Sequence, residues 1–377
     1  MERAQTQVEN NVRVTAAVLS AEESKAMFGL PLYKKAIQPI WLEIENNDEE
    51  RVWFSPVGVD PKYFPPLEVA YMNRFRFSKE ANQQMEQYFN EQAMGLYIEP
   101  GRVRSGFVFT NLDVGTKSFN VDLVGEDHQV RTFTFLISVP GFRASHHEVD
   151  WHTLYSKDEM VSYDEAGQRK ALESLPCCAT NEDGTKMGEP INVVIIGNGE
   201  DVLHALIQSG WDETESQTAS RTEVSSIFSG EYRYAPVSLL YLYGRPQDAA
   251  FRKSRETARE QNQLRLWLSP MTFEGKPVWV GQISREVRVR SLFRRYKIEP
   301  NLDEARTYIL QDILYSQGLA KYGHVKGVGA APISNPRQNL TGNSYFTDGY
   351  RVVLWVSSDP ISFPEVEVLE WEIAGPR

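Results

Sequence analysis

The sequence has too few cysteines for a disulfide scaffold and no apolar run long enough to cross a membrane. It contains 2 cysteines in 377 residues, whereas small domains held together by disulfides carry several pairs. No stretch approaches the roughly 20 continuous apolar residues of a membrane span, so we expect no transmembrane segment. The sequence also has no excess of basic residues. The 40 lysines and arginines against 51 aspartates and glutamates leave a net charge of -11, which argues against nucleic-acid binding.

The amino terminus lacks the apolar core of a signal peptide. Met1 to Asn11 is polar throughout, unlike the n-region and h-region of a secretory leader. Two alternatives follow for the location of the protein. Either it stays in the cytoplasm, or a leader has been removed from a protein of the cell envelope.

What the sequence does contain is typical of a folded protein with more than one domain. A content of 41% hydrophobic and 24% charged residues excludes a wholly disordered or collagen-like chain. Division of the length by a typical domain size of about 150 residues gives two or three domains.

Residues 12–141 are predicted to form an all-β sandwich of immunoglobulin-like character. Short alternating strands with turns about every 8–12 residues are typical of such domains. Ser20 and Glu23 have the spacing of a helix capping box, and a second helix is predicted over Ser78–Met94. Strands are predicted at Val12–Val18, Ile37–Glu45, Arg51–Val57, Gly95–Ile98, Arg104–Asn111, Ser118–Val124 and Val130–Val139. The turn at Asn46–Asp48 makes Arg51–Val57 the expected hairpin partner of Ile37–Glu45.

Residues 142–189 are predicted to be a linker, and residues 190–377 an α+β domain. The linker is polar and has little apolar periodicity apart from a short helix around Ser162–Leu175. In the domain we expect an antiparallel or mixed sheet with helices on one face. The whole chain is therefore predicted to be multidomain. The expected strands are Ile191–Gly197, Pro236–Tyr243, Leu264–Phe273, Lys276–Ser284 and Tyr350–Val356, and the expected helices are Glu200–Ser209 and Leu302–Gln317. Glu274-Gly275 is the predicted hairpin turn.

Patterns of established catalytic sites are weak or missing. No GxSxG motif occurs, and Val202 stands where the third glycine of a dinucleotide-binding loop would follow Gly197 and Gly199. We interpret those glycines as part of a strand-to-helix turn. His204 falls in a predicted helix and is interpreted as a core residue rather than a catalytic base.

Histidines cluster with acidic residues in the segment SHHEVDWH, at His146, His147 and His152. Imidazoles and carboxylates suit zinc or iron, but this spacing matches no metalloprotease or zinc-finger pattern. The predicted linker would also lack the rigid support of a metal site. We therefore interpret the segment as a solvated connector, with metal binding as the alternative.

The vicinal cysteines Cys177 and Cys178 allow more than one chemistry. They are interpreted first as two buried, inert thiols. A strained disulfide ring or a pair of soft metal ligands is the alternative.

A basic segment, Ser284 to Lys297, stands out in this acidic protein. Arg288 and Arg290 are two residues apart on a predicted strand and would point to one face. Guanidinium groups bind phosphates and carboxylates through two hydrogen bonds. The alternative is a solvated strand that pairs with acidic neighbours.

Further candidates for an anion site lie on neighbouring predicted strands. Arg245 precedes Pro246, which favours extended backbone at a strand end. The alternative is that Arg245 and Asp348 form a structural ion pair and that the tryptophans are core residues. The full set of candidate ligand-binding residues is Arg245, Asp248, Arg265, Trp267, Trp279, Arg288, Arg290 and Asp348.

The C-terminal half contains a series of short segments that is similar in order and spacing to one known family. The segments are Leu175–Thr185, Gly188–Gly197, Pro236–Ser238, Leu242–Asp248, Leu264–Trp267, Pro277–Gly281, Arg306 and Phe346–Gly349. Together they resemble the LssY C-terminal domain family over about residues 172–357. The preceding sandwich is not part of that domain.

The resemblance implies a bacterial protein associated with the cell envelope. Members occur fused to membrane modules, some of them phosphatase-like, which implies phospholipid or polyprenyl-phosphate traffic. Members often carry a histidine before the Leu-Arg-Leu-Trp segment and another further along. Gln263 and either Tyr296 or Lys297 hold those places here, and this departure from the family pattern favours binding over turnover.

We therefore predict a non-catalytic, envelope-associated binding protein for an anionic lipid head group or another phosphate-bearing ligand. No metal and no cofactor are expected, and nucleic acid is not an expected partner. Two alternatives stay open. One is a scaffold for a protein partner, which would use an edge strand at Val366–Ile373. The other is a hydrolase-like enzyme acting on lipid phosphates through Asp248, Arg265, Asp303 and Asp348.

Overall fold

The computed structural model describes residues 3–76, 78–151, 153–216, 233–254, 260–288 and 296–371. The chain forms two compact units, Met1–Phe142 and Arg143–Arg377. Within the described residues, no helix has the length and apolar character needed to span a membrane.

The first unit is built mainly from strands, with helices inserted between them. The strands are β1 (Gln5–Glu9), β2 (Val12–Val18), β3 (Ile37–Asn46), β4 (Val52–Ser55), β5 (Tyr97–Ile98), β6 (Arg102–Asn111), β7 (Thr116–Val124) and β8 (Val130–Ser138). The helices are α1 (Ala21–Phe28), α2 (Pro56–Val59), α3 (Pro66–Met72) and α4 (Lys79–Gln92). The predicted capping box is present, because Ser20 accepts a hydrogen bond from the Glu23 backbone and Glu23 accepts one in return.

Two antiparallel sheets of the first unit share one apolar core. Their strand orders are β1-β2-β3-β6 and β5-β4-β7-β8. Alternate residues such as Val14 and Ile40 from the first sheet join Phe119 and Phe135 from the second in one buried cluster. This part of the chain is therefore a β-sandwich, whereas its immunoglobulin-like character stays a prediction.

The predicted hairpin between Ile37–Glu45 and Arg51–Val57 is wrong. Strand β4 pairs with β5 and β7 in the second sheet. Strand β3 has both edges occupied, by β2 and by β6, so it has no place for a further partner. Asn46 turns the chain away by donating hydrogen bonds to the carbonyls of Glu50 and Ile98.

In its described residues, the second unit combines many short strands with three α-helices. The strands are β9 (Val161–Tyr163), β10 (Cys178–Thr180), β11 (Met187–Pro190), β12 (Val193–Ile196), β13 (Asp212–Glu213), β14 (Tyr241–Leu242), β15 (Arg245–Pro246), β16 (Ala249–Ser254), β17 (Glu260–Phe273), β18 (Lys276–Arg288), β19 (Tyr296–Ile298), β20 (Leu319–Lys326), β21 (Arg337–Gln338), β22 (Ser344–Tyr345), β23 (Tyr350–Val356) and β24 (Glu367–Val368). The helices are α5 (Glu165–Glu173), α6 (Gly199–Gln208) and α7 (Leu302–Tyr315).

One large mixed sheet organises the second unit as an α+β fold. Its order is β13-β16-β17-β18-β12-β23-β20-β24, with β19 on β18 and β9 on β17. Most pairs are antiparallel, but β12 and β23 run parallel at its centre. Successive residues of β12 face opposite sides. Ile195 packs with α6 and α7 on one face, and Val194 packs with Leu172 of the shorter α5 on the other.

The long hairpin of the second unit forms where the sequence predicts it. Strands β17 and β18 join at Glu274 and Gly275, both of which have positive φ, at 49° and 76°. Positive φ at both central residues is the geometry of a type I′ turn.

The strand predicted at Pro236–Tyr243 is mostly wrong. Only Tyr241–Leu242 is extended and paired, and the preceding backbone is held by side chains instead. The Ser238 carbonyl accepts from Arg265 and Gln247, and the Leu240 amide donates to the Gln247 side chain. At the chain's end, Glu367–Val368 is the paired part of the strand predicted at Val366–Ile373, whose last residues lie outside the described ranges.

The segment that we predicted to be a linker packs within the second unit. Ala144 and Leu172 are fully buried, and the segment contains β9, α5, β10 and most of β11. The predicted short helix is present as α5, capped by Asp164.

Candidate functional site

An apolar cavity lies between helix α6 and the sheet of the second unit. Its volume is about 360 Å³, which is within the range of small-molecule sites. Gly199 and Glu200 at its edge are exposed, so the cavity reaches solvent at the start of α6. Its lining residues are mostly apolar and come from α6, β16, β17, β18 and the segment before β9. They include Val202, Leu203, Phe251, Leu266, Trp151 and Trp279.

Two tryptophans form part of the cavity wall. The rings of Trp151 and Trp279 meet edge to face, with centroids 5.4 Å apart. The Trp279 Nε1–H donates to the Gly197 carbonyl at 3.0 Å. The backbone at the strand-to-helix turn therefore fixes the orientation of one indole ring.

His146 lines the cavity and lies beside Glu213 because two chain segments pair next to strand β16. The Ser145 amide donates to the Thr214 carbonyl at 3.0 Å, and Glu213 pairs with Phe251 in the sheet. The Ala250 amide also donates to the Ser145 hydroxyl at 3.2 Å. This backbone framework replaces the solvated connector that we expected from the sequence.

His146, His147 and Glu213 form a compact cluster of potential metal ligands. One donor atom from each lies within 4.8 Å of the other two. The distance between His146 Nε2 and Glu213 Oε1 is 3.3 Å, and the Glu213 side chain is only 1% exposed. The third histidine of the sequence segment, His152, lies outside the described residues.

The two histidines of the cluster are neutral at physiological pH. Burial, together with the neighbouring His147, lowers the pKa of His146 to about 4. Burial and the charge of Arg143 also lower the pKa of His147. A neutral imidazole keeps a lone pair for a metal ion or a hydrogen-bond donor.

Arg245 and Asp248, two of the residues predicted to bind an anion, bind each other. Two parallel hydrogen bonds of 2.8 and 2.9 Å join the Arg245 guanidinium to the Asp248 carboxylate. The remaining guanidinium donors contact the Tyr155 hydroxyl and the Leu268 carbonyl. This arrangement has the geometry of a structural ion pair.

Arg265 lies on the opposite face of strand β17 from the cavity. It is 4% exposed and donates to the side chains of Gln282, Gln263 and Ser238. Burial lowers its pKa to about 10, an effect that the charge of Glu189 partly opposes. Gln263, which stands where relatives often have histidine, therefore serves as a hydrogen-bond acceptor for this arginine.

Asp348 pairs with Arg306 rather than with Arg245. Two hydrogen bonds of 2.6 Å join the Arg306 guanidinium to both Asp348 oxygens. Burial alone would raise the pKa of Asp348, but the bonds from Arg306 and its charge hold it below the usual value. Asp303 joins the group by accepting from the Thr347 hydroxyl and the Asp348 amide.

The remaining candidates do not converge with these arginines. Trp267 is fully buried in the core on the Arg265 face of the sheet, whereas Trp279 lines the cavity on the other face. Arg288 ends strand β18, and Arg290 lies outside the described residues. Among the candidates whose side chains the structure describes, Trp279 alone is part of the cavity wall.

The structure joins Cys177 and Cys178 in a vicinal disulfide. From the sequence we predicted two inert thiols first and a disulfide only as the alternative. Adjacent cysteines need no long-range contact to reach each other, since their Cα atoms are 3.8 Å apart.

Sequence reasoning missed the cavity and the acidic partner of the histidines. Strands β9 to β12 and helices α5 and α6 lie between His146 and Glu213 in the chain, so no short motif connects the two residues. The one available signal was the histidine pair itself.

Comparison with known proteins identifies the second unit. Neither the curated proteins nor the solved structures contain a match to the chain. Residues 169–350 match the model of the family described as LssY C-terminus, which confirms the resemblance of this part of the chain to the LssY C-terminal domain family.

Proposed function

We propose that the second unit is a non-catalytic binding domain for an amphiphile, whose apolar chain occupies the cavity and whose head group is anionic. In this proposal the protein works at the bacterial cell envelope, as the family resemblance implies. The shared chemistry of the ligands is a hydrocarbon chain, from either an acyl lipid or an isoprenoid phosphate.

The cavity is the observation that carries this proposal. Protein interiors are close-packed and leave few voids larger than a water molecule. The space of about 360 Å³ lined by Leu203, Phe251 and Leu266 is not such a void but a pocket open to solvent, and its significance lies in its apolar lining. Its wall offers apolar contact along most of its surface, which suits a chain better than a sugar or a nucleotide.

The bonding of the acidic residues favours binding over hydrolysis. A catalytic carboxylate must be accessible to the proton or atom on which it acts. Asp248 is held by Arg245, and Asp348 is held by Arg306. Asp303 accepts from Thr347 and from the Asp348 backbone, so these carboxylates support the fold.

Calorimetric titration with three probes tests the proposal on the full chain. Dodecyl phosphate carries chain and head group, dodecanol carries the chain alone, and inorganic phosphate carries the head group alone. We expect dodecyl phosphate to bind most tightly, dodecanol to bind more weakly, and inorganic phosphate to show no measurable affinity.

Filling the cavity provides the matched comparison. Ala249 lines the cavity, and we expect Ala249→Leu to weaken binding of dodecyl phosphate about tenfold or more, a change of about 1.4 kcal/mol. Ala320→Leu places the same side chain elsewhere in the same sheet and is expected to leave the affinity unchanged. Equal affinities in both variants, or no binding of either chain probe, would show that the proposal is wrong.

A further inference from the structure

We propose that His146, His147 and Glu213 bind a divalent transition-metal ion of the zinc class at the wall of the cavity. In the second part of the proposal, which rests on the proposed function, the open coordination position of the ion binds an anionic oxygen of the ligand's head group. From the sequence we predicted no metal, and the residues that match the family model begin only after the two histidines.

The donor set fits zinc in its chemistry. Two imidazole nitrogens and one carboxylate oxygen are a combination that zinc binds in proteins, with the fourth tetrahedral position left to water or to a ligand. Calcium and magnesium prefer oxygen donors alone. The cluster therefore selects for a transition metal.

The distance between two of the ligand atoms fits a shared ion. Zinc bonds of about 2.0–2.1 Å at the tetrahedral angle place two ligand atoms about 3.3 Å apart. The 3.3 Å between His146 Nε2 and Glu213 Oε1 matches this value. His147 is exposed, so its side chain has room to change rotamer and complete the set.

The two less exposed ligands are held by backbone pairing rather than by a loose loop. Glu213 belongs to strand β13, which pairs with β16. Bonds between residues 143–145 and 214–216 fix the chain just before His146, with the Ser216 amide donating to the Arg143 carbonyl at 2.9 Å. Preorganised ligands of this kind lower the cost of binding an ion.

A second observation points to a missing partner at His146. Its Nδ1 is buried and makes no hydrogen bond within the described structure. Buried polar atoms are nearly always paired with protein, water or an ion. Nδ1 is not the nitrogen that lies beside Glu213, so its missing partner is not the ion itself. His146 lines the cavity, and a hydrogen-bonding group of the ligand would supply that partner.

Metal binding is tested on the full chain after removal of metal with a chelator. Zinc chloride is titrated calorimetrically, and cobalt(II) is titrated with detection of its visible absorption, which is intense only in tetrahedral sites. We expect one zinc ion per chain and the tetrahedral cobalt spectrum. No zinc affinity better than millimolar, or an octahedral cobalt spectrum, would overturn the proposal.

Substitutions assign the ion to this cluster. We expect His147→Ala and Glu213→Gln each to weaken zinc binding by about 100-fold or more, at or above the largest effect of losing an outer-shell partner. His128→Asn, at an exposed loop position with positive φ, removes another histidine and is expected to leave zinc affinity unchanged. Because His147 is exposed, its variant tests the site even if Glu213→Gln fails to fold. Equal zinc affinity in His147→Ala and His128→Asn would overturn the assignment.

The head-group contact is tested by measuring dodecyl phosphate affinity with and without one equivalent of zinc. We expect zinc to tighten binding about tenfold in the wild type and to have no effect in His147→Ala. Zinc binding without any affinity for chain probes would refute the proposed function and leave the metal site in place. Chain binding without zinc binding would refute the metal site alone. Zinc binding that leaves dodecyl phosphate affinity unchanged would refute the head-group contact.

Discussion

Single buried side chains connect distant segments of the second unit. Arg351 is fully buried and donates to the carbonyls of Leu172, Pro176 and Ile191. It thereby ties the end of α5 and the segment after it to the central sheet. Gly327 makes this approach possible, since a Cβ there would lie 2.0 Å from the guanidinium. Arg351 thus holds the predicted linker in the fold, although it lies far from that segment in the sequence.

His204 is one of three buried histidines, with His146 and His324, through which we expect acid to destabilise the second unit, because burial lowers the pKa of each to about 4. Burial, opposed in part by Asp201 and Asp359, lowers the pKa of His204 from 6.5 to about 4. Between these values the unfolded chain binds a proton that the folded chain does not. The free energy of unfolding therefore decreases as pH falls from 6.5 to 4 and is insensitive to His204 above that window. The loss amounts to about 2 kcal/mol between pH 7 and pH 5.

Urea denaturation at pH 7 and pH 5 checks this expectation. His204→Gln removes the titrating group, so the difference in free energy of unfolding between the two pH values should shrink by about that 2 kcal/mol. The exposed His128→Asn should keep the wild-type difference. An unchanged pH dependence in His204→Gln would contradict the expectation.

The sequence predicted a capping box between residues close in the chain, but it did not predict the partners in the side-chain ion pairs. Ser20 and Glu23 are three positions apart, so the sequence spacing alone predicts their capping box. Arg245 lies in the two-residue strand β15, and its partner Asp248, only three positions further on, was predicted to be a separate ligand-binding residue. The partner of Asp348 was not identified, because the contact with Arg306 depends on how α7 packs on the sheet.

At the scale of elements, the turn between β17 and β18 is a position where the natural residue is suboptimal. Glu274 is exposed and adopts a φ of 49°, which asparagine tolerates better than glutamate. We expect Glu274→Asn to raise the free energy of unfolding by about 0.5–1 kcal/mol. Chemical denaturation measures the change.

A matched substitution separates the turn effect from a general effect of asparagine. Glu182 is also exposed in a loop, and we expect Glu182→Asn to leave stability unchanged. A loss of stability in Glu274→Asn, or an equal gain in both variants, would show that the turn geometry is not the cause.

Elements with a strong period were predicted well, and those set by side-chain contacts were not. The hairpin strands and helix α7 lie where the apolar pattern placed them, within a few residues. The segment Pro236–Leu240 is apolar but does not form a strand. Its carbonyl at Ser238 is taken by Arg265, a contact that no local pattern contains.

At the scale of the whole molecule, the first unit is expected to fold without the second. Residues 1–142 contain both sheets of the sandwich and its shared core. We expect this fragment to show the circular dichroism of a β-rich protein and to unfold cooperatively in urea. A helical spectrum or an unfolded chain would contradict this.

The first strand provides an internal comparison for that fragment. The Gln5 side chain donates to the Leu136 carbonyl at 2.6 Å, and Gln7 donates to the Thr134 carbonyl, so β1 links the two sheets. A fragment that starts at Val12 should therefore be less stable by about 1–2 kcal/mol.

The candidate site also depends on the fold of the whole second unit, and for this reason the sequence predicted little of it. The cavity depends on four elements and on the segment before β9. Its most polar feature joins His146 to Glu213, which meet only when β13 has paired with β16. The family resemblance located the domain correctly, but the two histidines precede the matched residues.

The parallel pair at the centre of the large sheet determines the order in which the chain acquires structure during synthesis. Val193 of β12 is matched with Val352 of β23, so the middle of the sheet stays incomplete until nearly all of the second unit has left the ribosome. Closing so long a loop is slow. Until β23 has been synthesised, the entirely apolar strand Val193–Ile196 is unpaired on that side. We expect it to be exposed to chaperones and to aggregation during this time. The sandwich, in contrast, has every strand it needs once Phe142 has emerged.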